Sequence, residues 1–186
     1  MPTIFSHAVA GAALIAAFPK TTVPRRWAIV GAAAAMLPDV DVVGFRFGIQ
    51  YGDLLGHRGL SHSIIFAAGL AAVATILFAG WTRGARCGWV WLYLLLATVS
   101  HPLLDACTNG GLGVAFFSPF DTTRYFFPWR PIQVSPIGAR FFSVRGLAVL
   151  QSELLWVWLP FIASALGAFF WRRILSRVDR SGQAAV

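Results

Sequence analysis

Two stretches of this chain, Ser61–Trp81 and Gly88–Ala106, stay apolar for the length of a membrane helix, apart from His62 in the first and His101 and Asp105 in the second. About 20 such residues, rising ~1.5 Å each, cross a hydrocarbon core about 30 Å thick. A third run, Gly146–Trp171, is interrupted at Gln151, Ser152 and Glu153. Two more precede them: Thr3–Phe18, which is shorter and holds His7, and Trp27–Phe47, which holds Asp39 and Asp41. With 58% hydrophobic and 12% charged residues and a mean hydropathy of +0.70, no stretch remains for a separate soluble domain. The expected fold is all-α: one multi-pass membrane bundle of about five helices filling residues 1–186.

A net charge of +8 would suggest nucleic acid in a soluble protein. Here the basic residues punctuate the apolar runs, as cytoplasmic loops do in membrane proteins. Lys20, Arg25 and Arg26 follow the first run, Arg83 and Arg86 the third, and Arg172, Arg173, Arg177 and Arg180 the fifth. Five crossings put all three clusters on one side, with the N-terminus outside and a basic tail from about residue 172 inside. No nucleic-acid partner is expected. The first run has no basic segment before it, so it reads as a retained helix and not a signal peptide. Cys87 and Cys107 fall at opposite ends of the fourth run, so no disulfide is expected between them.

On the same threading, every histidine and four of the seven acidic residues fall toward the outer ends of their helices, and Asp121 lies in an outer loop. His7 is near the start of the first, Asp39 and Asp41 near the end of the second, and His57 and His62 around the start of the third. His101 and Asp105 lie in the last turns of the fourth, and Glu153 about two turns into the fifth. Trp27–Pro38 is only 12 residues, roughly 18 Å of helix, which leaves Asp39 and Asp41 below the outer surface. An ionised carboxylate at that depth is costly unless it is paired or bound to a cation.

The spacings suit a metal. His101 and Asp105 are one turn apart on one helix face, with Pro102 between them to kink the helix. Asp39 and Asp41 follow Pro38 in "LPDVD", where the helix is expected to break or bend, and "GHRGLSHS" carries His57, Arg58 and His62. Mixed imidazole and carboxylate donors favour zinc, or manganese or iron, over calcium or magnesium. The candidate ligands are His7, Asp39, Asp41, His57, His62, His101 and Asp105. Asp39 and Asp41 are alternatively partners that orient a histidine, or the general base. Glu153 is either a site carboxylate or an ion-pair partner of Arg145 or Arg58.

The segment of about 108–145 is too rich in Gly and Pro to span and too aromatic for an aqueous loop, with Phe116, Phe117, Phe120, Tyr125, Phe126, Phe127 and Trp129. It reads as an interfacial, extracytoplasmic element that covers the polar cluster or guides a lipid into it. Its arginines run against the positive-inside trend. Arg58, beside the cluster, is the first candidate for gripping a substrate phosphate, and Arg124 the second.

With His7, "LPDVD", "HRGLSHS" and "HPLLD" in that order on short membrane helices, followed by "TNGG" and "FFSPFDTTRYFFP", the chain resembles the membrane-bound, metal-dependent hydrolases of the LexA-regulated, YdjM-like group. The pattern is also distantly similar to that of zinc-dependent phospholipase C and P1-type nucleases. That likeness implies His7, one of Asp39 and Asp41, His57 and the His101–Asp105 pair as ligands, with Asp105 able to bridge two ions. No histidine follows Asp105, so one or two ions are expected and not three. The expected activity is metal-dependent hydrolysis of a phosphoester in a membrane lipid, with Asp39, Asp41, Arg58 and Glu153 as candidate catalytic groups. The implied location is a bacterial inner membrane, with the site facing outward. A metal-ion or proton transporter and a membrane protein with a purely structural metal are the alternatives. Transporters place their sites nearer the midplane and often carry internal repeats, which this chain lacks.

Overall fold

A computed structural model describes residues 1–82 and 86–183. Arg83 lies outside the described residues, as do the side chains of Arg177, Asp179 and Arg180. Among the described residues there are helices and no strands, so the expected all-α membrane bundle is what the chain forms. α1 is Ile4–Ala13, tightening to a 3₁₀ turn over Leu14–Ala17. α2 runs over Trp27–Met36 and continues as 3₁₀ helix over Leu37–Phe47. α3 is Ile64–Leu77, and α4 is Cys87–Ala106. α5 begins at Val144–Glu153, widens to a π-helical stretch over Leu154–Trp158 and continues as Leu159–Gln183.

Among the described residues, three helical stretches are long and apolar enough to cross a membrane: Trp27–Phe47, Cys87–Ala106 and Val144–Leu175. The other two, Ile4–Ala17 and Ile64–Leu77, are shorter than the apolar runs that contain them. Ser63 makes one of these helices begin late within its run: its side chain accepts the Phe66 N–H at 3.1 Å and caps the N-terminus of α3. At 14 residues, α3 covers roughly 21 Å.

The helices pack through small residues, as membrane helices must where lipid offers no hydrophobic gain for association. Gly11 on α1 meets Gly31 and Ala35 on α2 so closely that a Cβ on Gly11 would come within 2.6 Å of the Gly31 carbonyl oxygen. A Cβ on Gly31 would collide with the Tyr93 hydroxyl, which donates to the Gly11 carbonyl at 2.9 Å. Trp27, Val90, Leu94 and Ala97 close the core around this contact. Overpacking of this kind costs about 1–3 kcal/mol. Gly31→Ala is therefore expected to lower the unfolding temperature in detergent, and an unchanged transition would mean that the three helices are not in this contact.

Both ends of the bundle are chemically distinct. At one end, Arg25 donates to the carbonyls of Ile15 and Phe18, and Arg172 donates to those of Phe18 and Ala16, so cations cover the end of α1. Arg26 Nε reaches the Trp81 carbonyl at 3.0 Å, and the Arg86 N–H reaches Thr22 at 3.3 Å. The described members of the three basic clusters thus gather together. Lipid-facing side chains such as Ile29 and Leu77 are 71% and 74% exposed.

The opposite end is roofed by residues 108–143. Val114 and Tyr125 exchange two backbone hydrogen bonds of 2.9 Å, the Ala115 N–H donates to the Arg58 carbonyl at 3.0 Å, and the Ile64 N–H donates to Phe116 at 3.0 Å. Trp129 packs edge-on against Trp156 of α5, with ring centroids 5.0 Å apart. Phe120 remains 85% exposed, which suits an interfacial segment. Cys87 and Cys107 are both free thiols.

Candidate metal centre

Four separate pieces of chain converge beneath that roof. α1 brings His7, the 3₁₀ part of α2 brings Asp39 and Asp41, the turn before α3 brings His57, Arg58 and His62, and the end of α4 brings His101 and Asp105. Pro38 lacks an N–H for the α-helical ladder, and from there α2 tightens without breaking. Asp39 and Asp41, two residues apart, then project on different sides. Asp39 joins His7, His62, His101 and Asp105, while Asp41 meets the turn before α3.

The inner group is tight. His101 Nε2 lies 3.4 Å from Asp39 Oδ1 and 4.0 Å from Asp105 Oδ2. His62 Nε2 lies 3.4 Å from Asp105 Oδ2 and 3.7 Å from Asp39 Oδ1. His7 Nε2 is 3.6 Å from Asp105 Oδ1 and 3.9 Å from Asp39 Oδ2, with its ring stacked on that of His101 at 3.6 Å. One ligand atom from each of Asp39, His62, His101 and Asp105 falls within 4.8 Å of all the others. Two donors held ~2.0–2.1 Å from a shared zinc ion at a tetrahedral angle stand about 3.3 Å apart, so the spread suits a single ion.

Hydrogen bonding sharpens the fit. His101 Nδ1 donates to the Ala35 carbonyl at 2.7 Å, so a neutral His101 carries its lone pair on Nε2. His62 Nδ1 faces the Ser61 hydroxyl at 3.0 Å and Asp41 Oδ2 at 3.2 Å. Ser61 spends its own proton on Asp41 Oδ2 at 2.6 Å, which makes the His62 nitrogen the donor. The lone pairs of His62 Nε2 and His101 Nε2 therefore confront each other at 2.9 Å, an arrangement that needs a cation between or beside them. None of the four oxygens of Asp39 and Asp105, and neither nitrogen of His7, has a hydrogen-bond partner, and all are buried. Three buried or nearly buried carboxylates, Asp39, Asp41 and Asp105, face one buried guanidinium, Arg58. The acidic groups outnumber that guanidinium, an imbalance a cation would offset. The residues present fit a metal.

His57 and Asp41 lie to one side. His57 Nδ1 donates to Asp41 Oδ1 at 2.7 Å, and Asp41 Oδ2 also accepts the Arg58 N–H at 3.3 Å. Although Asp41, His57 and His62 are close enough to hold an ion of their own, their facing atoms are already joined by these hydrogen bonds. Asp41 acts as the strut that orients two imidazoles.

Arg58 is turned inward. It is wholly buried, sits at a φ of 64°, and places Nε 2.9 Å from Asp105 Oδ2, an ion pair with its N–H off the direct hydrogen-bond line. Its other nitrogens donate to the Gly110 carbonyl and the Thr108 hydroxyl, both at 2.9 Å. Gly111, at φ 93°, lies against it; a Cβ there would come 2.7 Å from Arg58 Nη1 and 2.8 Å from the Tyr51 hydroxyl. Burial raises the pKa of the Tyr51 phenol, which stays neutral.

Arg124 is committed as well, donating to the carbonyls of His57 and Tyr51 at 3.0 Å. The phosphate grip expected of Arg58 and Arg124 thus meets guanidinium groups already engaged with protein. Glu153 stands apart from the inner group. It is buried and accepts from the Thr3 N–H and hydroxyl at 2.5 Å and from the Ser6 hydroxyl at 2.6 Å, so it ties α5 to α1, and neither Arg58 nor Arg145 pairs with it. Ser61 and Thr108 escaped the sequence reading. Ser61 had a signal, its place inside "HRGLSHS"; the Ala35 carbonyl that orients His101 had none.

The donor atoms of the group are buried, and a cavity lies beside it. Asp39 forms part of the wall of a cavity of about 240 Å³, together with Thr3, Phe5, Val42, Ser135 and Phe141.

The family model described as YdjM inner membrane protein matches residues 1–176. The chain is 39% identical over 176 residues to the inner membrane protein YbcI of Escherichia coli (strain K12), covering 93% of this chain and 99% of that one. No solved structure matches. Neither description carries an activity, and the likeness to zinc phospholipases and nucleases rests on the residue pattern alone. By the extent of both matches, this integral membrane protein belongs to the YdjM family of inner membrane proteins.

Proposed function

We propose that the protein is a membrane-embedded, metal-dependent hydrolase acting on a phosphoester bond of a membrane lipid at the outer face of the membrane. The observation that carries this reading is a buried group of three imidazoles and two carboxylates without hydrogen-bond partners for the carboxylates, one of which belongs to Asp39, a residue in the wall of a cavity. His7, Asp39, His62, His101 and Asp105 would hold one ion, zinc by donor type, with manganese or iron as alternatives. The chemistry such an ion supplies when bound is acidification of water and polarisation of a phosphoryl oxygen.

The chain's own groups supply the rest. Ala35 and Asp41 fix the tautomers of His101 and His62, and Arg58 holds Asp105 in place. Asp39 meets a water entering the cavity and takes its proton. The water oxygen bonds to phosphorus, the ester P–O bond breaks, and the proton passes to the departing alcohol oxygen. The basic end of the bundle supports the outer side, since the positive-inside tendency favours the cytoplasm for that end.

Burial of all five donors favours a second reading, a closed structural metal. Protein purified in mild detergent, analysed for metal and assayed against phospholipids and lipid phosphates, separates the two. Hydrolysis that is lost with a chelator and restored by zinc or manganese is expected. Bound metal without turnover of any lipid would leave the structural reading standing. A C-terminal reporter found outside the cell would reverse the assigned side.

A further inference from the structure

We infer that Arg140 and Arg145 form the anion subsite that receives the phosphate of a lipid substrate. The inference rests on the hydrolase reading for the bond that is cut, but not for the binding itself.

A second cavity of about 490 Å³ is lined by Val134, Ser135, Pro136, Arg140, Ser143 and Arg145. It adjoins the Asp39 cavity, because Ser135 and Pro136 form a wall of both. No acidic residue lines it. The arginines of the outer end otherwise have little left to offer an anion. Arg58 and Arg124 are spent on protein acceptors, Arg130 stacks over Phe126 at 4.8 Å, and Arg46 lines neither cavity. Arg140 and Arg145 are exposed, and among the described residues no hydrogen bond or ion pair engages either guanidinium group, the Ser143 hydroxyl donating only to the Arg140 carbonyl.

Helix stability does not account for Arg145. It stands in the first turn of α5, where the helix dipole disfavours a cation. Around the two arginines, Phe142 and Val144 are 87% and 88% exposed, and Ile137 and Leu147 are also open. Bare apolar side chains next to guanidinium groups match the level of a bilayer where acyl chains give way to phosphates. A lipid entering sideways would leave its chains against Phe142 and Val144 and its phosphate on the arginines. Its ester bond would then lie toward Asp39. Bidentate guanidinium contacts favour an exposed anionic phosphate, so the substrate class is a phosphatidic acid or a related anionic phospholipid.

The test measures binding without turnover, on an Asp39→Asn background in phosphatidylcholine nanodiscs. The probes are dioleoyl phosphatidic acid, dioleoylglycerol and inorganic phosphate. Arg140→Gln with Arg145→Gln is expected to weaken phosphatidic acid binding by about tenfold or more, since charge-assisted contacts are lost. Dioleoylglycerol binding and metal content should not change, and the double Lys variant should recover only part of the loss. Equal affinity for phosphatidic acid in the double Gln variant would overturn the inference. So would inorganic phosphate competing as well as the lipid, which would make this a site for free anion. If the arginines bind phosphatidic acid but unsubstituted protein hydrolyses no lipid, the hydrolase reading fails and the subsite stands.

Discussion

Asp105→Asn is expected to leave the protein folded but with a lowered metal content, and Asp105→Ala to cost both metal and stability. Asp105 is the carboxylate on which the inner group turns: His7, His62 and His101 all approach it, and Arg58 pairs with it from behind at 2.9 Å. The asparagine keeps the shape and can still accept from Arg58, yet it removes one of the two charges that hold the ion. The alanine does more damage, because the Arg58 guanidinium stays buried with its partner gone. Breaking a buried pair from one side costs about 3–5 kcal/mol. Metal per chain by elemental analysis and the unfolding temperature in detergent measure the two effects separately. Arg58→Met is the control: with Asp105 still held by the ion, most of the metal should remain. Full metal content in Asp105→Asn would remove Asp105 from the centre.

How far these roles could be read from the sequence depends on how local their causes are. The apolar runs gave the helices, because burial in lipid acts on every residue of a run at once. The i,i+4 spacing of His101 and Asp105 put both on one face, and α4 keeps them there. Ser63, in "SHS", is a local cap and could have been read as one.

Asp39 and Asp41 were harder. Both follow Pro38, and a break there would have left their directions open. The chain instead tightens to 3₁₀ helix and sends Asp39 to the inner group and Asp41 to His57, His62 and Ser61. Arg58 was beyond sequence reasoning for a different reason. Its direction is set by a positive φ and by acceptors at Thr108 and Gly110, some 50 residues later in the chain. Glu153 finds its donors at Thr3 and Ser6, about 150 residues earlier, and no local pattern announces that. Contacts made by long loops and distant helices are products of packing, and periodicity is silent about them.

Asp39→Asn separates a metal that works from a metal that merely holds the fold. Asp39 is the member of the inner group that forms part of a cavity wall, and its oxygens have no hydrogen-bond partner. An amide of the same shape preserves packing against His7 and His101 and can still offer one oxygen to an ion, but it cannot take a proton from water. Loss of a general base lowers turnover by about 10²–10⁴-fold. The variant is therefore expected to keep its fold and much of its metal while its hydrolysis of lipid phosphates falls within that range. Asp41→Asn should behave differently. Asp41 acts through the imidazoles it orients, so its loss should weaken metal binding, of the order of 10–100-fold, and activity should return when metal is supplied in excess. A structural metal predicts no turnover to lose in either variant, and a transporter predicts metal flux into proteoliposomes instead. Equal, metal-reversible losses in both variants would place the two aspartates in the same role and deny Asp39 the proton.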